Sequence, residues 1–314
     1  MAEDPTSRVV TRRRRSRLRL KILLGLNALL LVLFMLSRLS PSQIQLLGPW
    51  AQSVHDVFEP PAVPELTAAG RQLKAEVRAL GGEANRMEHN SGFLGPFGVT
   101  ETFYITLNRT ECGDEELARL VQRYADRIWG LDLRHTTVSD QGLRHLKGLP
   151  NLAHLVLGND GPSFVRTPPW PSSPITDAGL VYLRNLPTLT SLNLSGLPIS
   201  DAGLESIGDL PNLGGLYLSR TKVRGPGLAR LKSLPRLVSL YLDGCDLTEA
   251  GLSHLARASS LQVLSLGGIP LTAADLQPLK VLPRLGQLEI RGCGLLDEDL
   301  KGLRMSKPKL KIGR

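Results

Sequence analysis

The apolar positions of this chain recur as Leu-x-x-Leu-x-Leu every 24 residues, beginning at Leu189, Leu213, Leu237, Leu261 and Leu285, the last with Ile290 in its sixth place. A unit this short cannot bury its apolar face alone, so the period predicts units stacked into a solenoid. Within Leu189 to Asn212, the alternation Leu192-x-Leu194 predicts a short strand with Ser191, Asn193 and Ser195 on its other side. Ser200-Asp201-Ala202-Gly203-Leu204 then offers a hydroxyl as N-cap and an acid for the first turn of a helix. Leu204, Ile207 and Leu210 turn inward, and Pro211 ends the helix because it lacks an N–H and restricts the residue before it. Thr176-Asp177, Thr248-Glu249 and Leu296-Asp297 repeat the start signal, and Pro150, Pro187, Pro235 and Pro283 repeat the stop.

Toward the N-terminus the pattern loosens. Ile105, Leu107, Asp114, Leu117 and Leu120 recur 26 residues later as Leu131, Leu133, Asp140, Leu143 and Leu146, and Leu152, Leu155 and Leu157 follow. The next strand, at Leu189, starts 37 residues after Leu152, so an inserted loop is expected over 158–174, GNDGPSFVRTPPWPSSP, carrying Phe164, Arg166 and Trp170. Ahead of the repeats, Leu66, Ala69, Leu73, Val77 and Leu80 follow helical spacing from Glu65 to Leu80 and stop at Gly81 and Gly82. This amphipathic helix and the glycine-rich loop at 91–99 form a capping segment, 65–101, over the first unit; GPFG lacks the glycine spacing and Lys of a phosphate cradle. A strand is expected from Glu101 to Leu107, and Leu310 and Ile312 form an incomplete closing strand.

Written as L-x-x-L-x-L-x-x-T-x-I-T-D-x-G-L, these units resemble the leucine-rich repeat family over roughly residues 102–314, especially bacterial arrays related to the ribonuclease-inhibitor-like and cysteine-containing types. The resemblance implies an α/β solenoid, a curved horseshoe with parallel strands on its concave face and short helices on its convex face, used for protein recognition. The family often places Asn at the ninth position to bond the turn backbone. Here that row reads Thr136, Leu197, Thr221, Cys245, Ile269 and Cys293, and Leu197 and Ile269 cannot make the bond. Arg224-Gly225 and Ala273 also interrupt the Thr-Asp pattern. Cysteine-containing repeats occur in F-box substrate receptors as well, but no F-box-like segment is evident.

Charge changes the picture at one end only. Of the net +9, residues 1–38 supply +7, and the remainder is nearly neutral without a basic stripe that would track phosphates, which argues against a nucleic-acid partner. Thr11 to Lys21 reads TRRRRSRLRLK, and the sixteen residues from Ile22 to Ser37 carry no charge. As a helix this stretch rises about 24 Å, and snorkelling Arg19, Lys21 and Arg38 extend its reach toward the ~30 Å hydrocarbon core. A basic tail, 1–21, and a single transmembrane signal anchor, 22–38, are therefore expected, with a cleaved signal peptide as the alternative. The positive-inside rule puts the N-terminus in the cytoplasm and the repeats outside it. Five prolines over 39–64 predict a stalk. Cys112, Cys245 and Cys293 contain no C-x-x-C pair. Cys245 and Cys293 stand two units apart, about 10 Å at ordinary strand spacing, which is too far to bridge, so all three are read as buried thiols.

The residues between the buried leucines line the expected concave face: Asp132, Val156, Asn193, Tyr217, Tyr241, Ser265 and Glu289. Tyr217 and Tyr241 fall on adjacent strands and would form an aromatic platform of a kind enriched at binding hot spots, with Asp243, Glu289 and Arg291 as a charged rim. Asn193 shares the row, and Phe164, Arg166 and Trp170 of the insertion form a second candidate. No nucleophile stands beside a base, no acids pair across a cleft, and no ligand cluster has metal spacing, so the chain is expected to be non-enzymatic and to take no cofactor, metal or small-molecule substrate. These readings converge on a membrane-anchored scaffold that recognises a protein partner. The alternatives are a self-associating structural component of the cell envelope and a cytoplasmic regulatory or substrate-receptor protein.

Overall fold

The computed structural model describes residues 65–87, 101–158, 173–184 and 186–314. The basic tail, the apolar stretch, the stalk, the loop at 91–99, and Phe164, Arg166 and Trp170 of the insertion lie outside the described residues. Among the described residues no helix is long and apolar enough to cross a membrane.

Ten strands form one sheet in strict chain order: β1 (Glu83–Arg86), β2 (Phe103–Thr106), β3 (Ile128–Asp132), β4 (His154–Val156), β5 (Ser191–Asn193), β6 (Gly215–Tyr217), β7 (Ser239–Tyr241), β8 (Val263–Ser265), β9 (Gln287–Glu289) and β10 (Lys311–Gly313). The first pair is antiparallel and every later pair parallel. Because the period is constant, so is the register: Leu131, Leu155, Leu192, Leu216, Leu240, Leu264 and Leu288 stand directly beside one another. Each is at most 1% exposed, so this column is the axis of the core. Residues on either side of each leucine in the strand point the other way and are mostly half-exposed, which leaves that face of the sheet open.

The connecting segments hold α1 (Ala68–Ala79), α2 (Asp114–Tyr124), α3 (Asp140–Leu143), α4 (Asp177–Leu180), α5 (Asp201–Ile207), α6 (Glu249–Leu255) and α7 (Asp297–Ser306). Their starts explain the Ser/Thr-Asp-x-Gly motif. Ser139, Thr176 and Ser200 each cap their own helix by accepting an N–H two residues on. Each also donates its backbone N–H and its hydroxyl to the aspartate that opens the helix of the preceding unit: Ser139 to Asp114, Thr176 to Asp140 and Ser200 to Asp177, all with N–H contacts of 2.8 Å. The aspartates are thus more than first-turn acids, since they join each unit to the next. The motif glycine follows from this brace, because a Cβ at Gly142, Gly179 or Gly203 would overlap the same aspartate's Oδ1.

Where the motif breaks, the helix changes. Asp201 finds no hydroxyl at Arg224 and instead accepts the N–H groups of Arg224, Gly225 and Gly227. The segment after it, Pro226–Ser233, winds as a 3-10 helix, and so does Gln277–Val281, the unit whose motif Ala273 interrupts. The expectation was of short helices on this face, and at these two places they are 3-10.

At the N-terminal end the helix starts at Thr67, whose side chain accepts from Gly70 N–H, and it buries Leu73 and Val77. Beyond it lies β1, an element the hydrophobic pattern did not predict. Its sequence, Glu-Ala-Asn-Arg, places only Ala84 in the core, which suits an edge strand. Glu101, 2% exposed, accepts from the Thr67 hydroxyl and pairs with Arg127 at 3.2 Å, fastening the start of α1 to the segment leading into β3.

Candidate functional site

The open strand face is the candidate site, and its relief comes from aromatic rings. Tyr217 and Tyr241 are exact register partners, and their rings stack with centroids 4.6 Å apart and planes 6° from parallel. Rings this close cannot lie side by side on the sheet, because coplanar rings would overlap, so they stand on edge, face to face. The Tyr217 ring leans back along its own strand, with Cε2 3.4 Å from where a Gly215 side chain would begin. The predicted platform is therefore a rib. The outer face of Tyr217 looks toward β5 and that of Tyr241 toward β8, and among the described residues no further ring stacks on either. Burial pushes the Tyr241 phenol above its usual pKa, with Tyr217, Asp243 and Glu289 adding to the shift.

A second rib stands on β3 and β4. Trp129 and His154 have centroids 4.4 Å apart at 34°, and Tyr104 lies 6.5 Å from Trp129 on the far side. Trp129 is the extra residue of a bulge: Phe103 pairs with Ile128 and Tyr104 with Gly130. This cluster was missed because only the fifth position of each Leu-x-x-Leu-x-Leu was followed from unit to unit for candidate site residues. The third position faces the same way, and that row, His154, Ser191, Gly215, Ser239, Val263, Gln287 and Lys311, was equally open to reading.

Several predicted site residues serve the fold instead. Asn193 is buried, and its Oδ1 accepts from Ser195 N–H at 2.9 Å. Asp243 is an internal brace rather than a rim charge: it accepts from the hydroxyls of Ser219 and Ser265 and from Gly267 N–H at 2.7 Å. Asp132, 2% exposed, is held by the Arg134 guanidinium. Glu289 is half-buried, accepts from Gln287 Nε2 and leans over Gly313 on β10. Arg291 is exposed at the sheet edge. The charged rim thus reduces to Glu289 and Arg291.

Cys112, Cys245 and Cys293 are free and buried. Cys245 Sγ–H donates to Leu218 O and Cys293 Sγ–H to Leu266 O, both at 3.1 Å, each reaching back to the preceding unit. In the same row Thr136 and Thr221 bond carbonyls of their own units, and Leu197 and Ile269 are simply buried. Burial pushes the Cys112 thiol up to about 12, and Glu116 and Asp114 add to the shift, so it stays a protonated thiol at neutral pH.

His154 gives this face a pH signature. Partial burial lowers its pKa below the ordinary imidazole value. The folded chain therefore favours the neutral ring; below about pH 6.5 the unfolded chain binds the proton first, and stability falls with pH until the folded pKa is passed. In a Trp50→Phe, Trp170→Phe background, Trp129 emission is expected to change along the same curve. Urea midpoints should drop more between pH 7.5 and 5.5 than they do in His154→Gln; equal drops would contradict this reading.

Away from the strand face, a groove of ≈ 310 Å³ lies between α1 and α2, lined by Leu80 and Leu120 and by the charged residues Glu76, Glu116, Arg119 and Arg123. None of the predicted site residues lies there. Residues 185–208, the unit that carries β5 and α5, match a family profile described as Leucine Rich repeat. No curated protein matches the chain. Among solved structures the chain is similar to internalin C2 from Listeria monocytogenes, at 21% identity and a TM-score of 0.44, with 64% of this chain and 76% of that one covered. The unit so matched recurs at constant register from β4 to β9, so the described domain is a solenoid of stacked strand-and-turn units, one of which matches the leucine-rich repeat profile.

Proposed function

We propose that this chain is a membrane-anchored, non-catalytic scaffold whose repeat domain binds a protein partner through its open strand face. The observation that carries the reading is that face itself. Parallel sheets are normally covered on both sides; here, among the described residues, one side stays mostly half-exposed and bears two aromatic ribs, the residue class that dominates binding hot spots. The anchor is residues 22–38, with the basic tail in the cytoplasm and the repeats on the far side of the membrane. The insertion bearing Phe164, Arg166 and Trp170 is the second surface through which a partner would be gripped.

A crosslinking pull-down of the full chain from membranes, beside the Tyr217→Ala, Tyr241→Ala double variant, tests the reading. The expected result is a partner held by the wild type and weakened at least tenfold by a variant with an unchanged circular dichroism spectrum. Capture of the same partner by both moves the contact to the insertion, and recovery of nothing but the chain itself replaces recognition with self-association. Protease protection in sealed vesicles tests the topology: repeats digested from the cytoplasmic side would overturn it.

A further inference from the structure

The two ribs leave a cleft between them. His154, Ser191 and Gly215 are in register on β4, β5 and β6, and the Tyr217 ring leans over Gly215. Trp129 covers one face of the imidazole and Tyr241 one face of the phenol; among the described residues no further ring stacks on either, and the opposite faces look toward each other across β5. They stand two strand spacings apart, about 9–10 Å, with Ser191 as the floor. The strand residues around this cleft, His154, Val156, Ser191, Asn193, Gly215 and Tyr217, include no carboxylate, ammonium or guanidinium group.

We propose that this cleft binds a neutral saturated sugar ring, a hexopyranose or N-acetylhexosamine unit of a polysaccharide or of a glycan carried by a protein. Width and charge decide the occupant. A flat aromatic ring makes contact at about 3.5–4.0 Å, so in this gap it touches one wall and leaves the other bare. A chair-form ring projects axial C–H bonds from both faces and meets both walls, while its equatorial hydroxyls point along the cleft toward the Ser191 floor and toward water. The uncharged walls offer nothing to pair with a charged side chain, a phosphate or a uronic acid, whose desolvation would go uncompensated. This inference shares the strand face with the protein-binding reading but does not depend on it.

The test exposes the full chain to an array of neutral hexose and N-acetylhexosamine oligosaccharides, acidic glycans and glycan-free peptides. Saturable binding of at least one neutral glycan is expected, with a change in Trp129 emission in the Trp50→Phe, Trp170→Phe background. Tyr217→Ala and the cleft-filling Ser191→Leu should each weaken it at least tenfold, whereas Tyr217→Phe, which keeps the ring face, should bind within about threefold of wild type; these are 1.4 kcal/mol and under 1 kcal/mol respectively. Free oligosaccharide competing as well as glycoprotein identifies a polysaccharide source, and the reverse a glycoprotein. The proposal is overturned if no neutral glycan is retained, if only acidic glycans or peptides are, or if Ser191→Leu leaves binding intact. If the pull-down partner is lost from the double variant while the array stays blank, the sugar site fails and protein recognition stands.

Discussion

Replacing Gly203 with alanine is expected to destabilise the repeat domain by about 2–3 kcal/mol, although the same exchange in an open helix would gain up to about 1 kcal/mol. The added methyl meets Asp177 Oδ1 first, then Ile199 Cγ2 at 2.9 Å and Leu180 Cδ1 at 3.0 Å. All three atoms belong to packed neighbours, and moving the aspartate breaks its two bonds to Ser200. A double-mutant cycle separates this cause from simple crowding. Asp177→Ala loses the bonds to Ser200, but it also removes the oxygen that the new methyl strikes. The pair should therefore cost less than the sum of the singles by at least about 0.5 kcal/mol, with a remainder set by Ile199 and Leu180. Strict additivity in urea unfolding would mean that the motif glycine is there for some reason other than the aspartate.

Leu216→Ala is expected to cost more, about 3–5 kcal/mol. Leu216 is wholly buried at mid-sheet, in register between Leu192 and Leu240. Neighbouring units have little freedom to collapse into the void, because the ladders on both sides hold their spacing. The form of the transition should change as well. In a stack each unit touches only its neighbours, so weakening one in the middle uncouples the units before it from those after it. In the Trp50→Phe, Trp170→Phe background, Trp129 emission, which reports β3, and far-ultraviolet ellipticity, which reports the whole sheet, should share a midpoint when Leu216 is kept and separate in the variant. Leu216→Met, which keeps volume, should cost under about 1.5 kcal/mol. A single transition near the wild-type midpoint for Leu216→Ala would show that the leucine column is not what couples the units.

The aromatic rows show where reading the chain succeeded in part. Adjacency of Tyr217 and Tyr241 follows from a spacing equal to the repeat, and they are indeed neighbours. Whether two neighbouring rings lie flat or stand up is not a matter of spacing. It depends on what lies beneath each ring, and the Tyr217 ring tips back along its strand until its Cε2 is 3.4 Å from where a side chain at Gly215 would begin. The Trp129–His154 rib needed still more, since a bulge of one residue opposite β2 puts Trp129 outside the regular frame. Asn193, from its place in the row, and Asp243, as a rim residue beside Tyr241, looked like surface residues, yet their short polar side chains fold back onto nearby turns.

From β2 onward, the order of the strands, their parallel direction and the leucine core were all present in the one-dimensional pattern. In a stack every unit meets the next at the same offset, so a fixed period in the chain becomes a fixed register in space. The third dimension decided everything that depends on direction. The period puts Asp177 and Ser200 23 residues apart, but only the folded helix start shows that the carboxylate points out of its own unit and into the next. At residue 224, which offers no hydroxyl, Asp201 takes backbone N–H groups from the following turn, another partner choice that the period does not carry. Hydrophobic periodicity records which side of an element is buried. It does not record where a polar side chain finds its partner, and for the helix-start aspartates of this solenoid those partners lie in the adjacent unit.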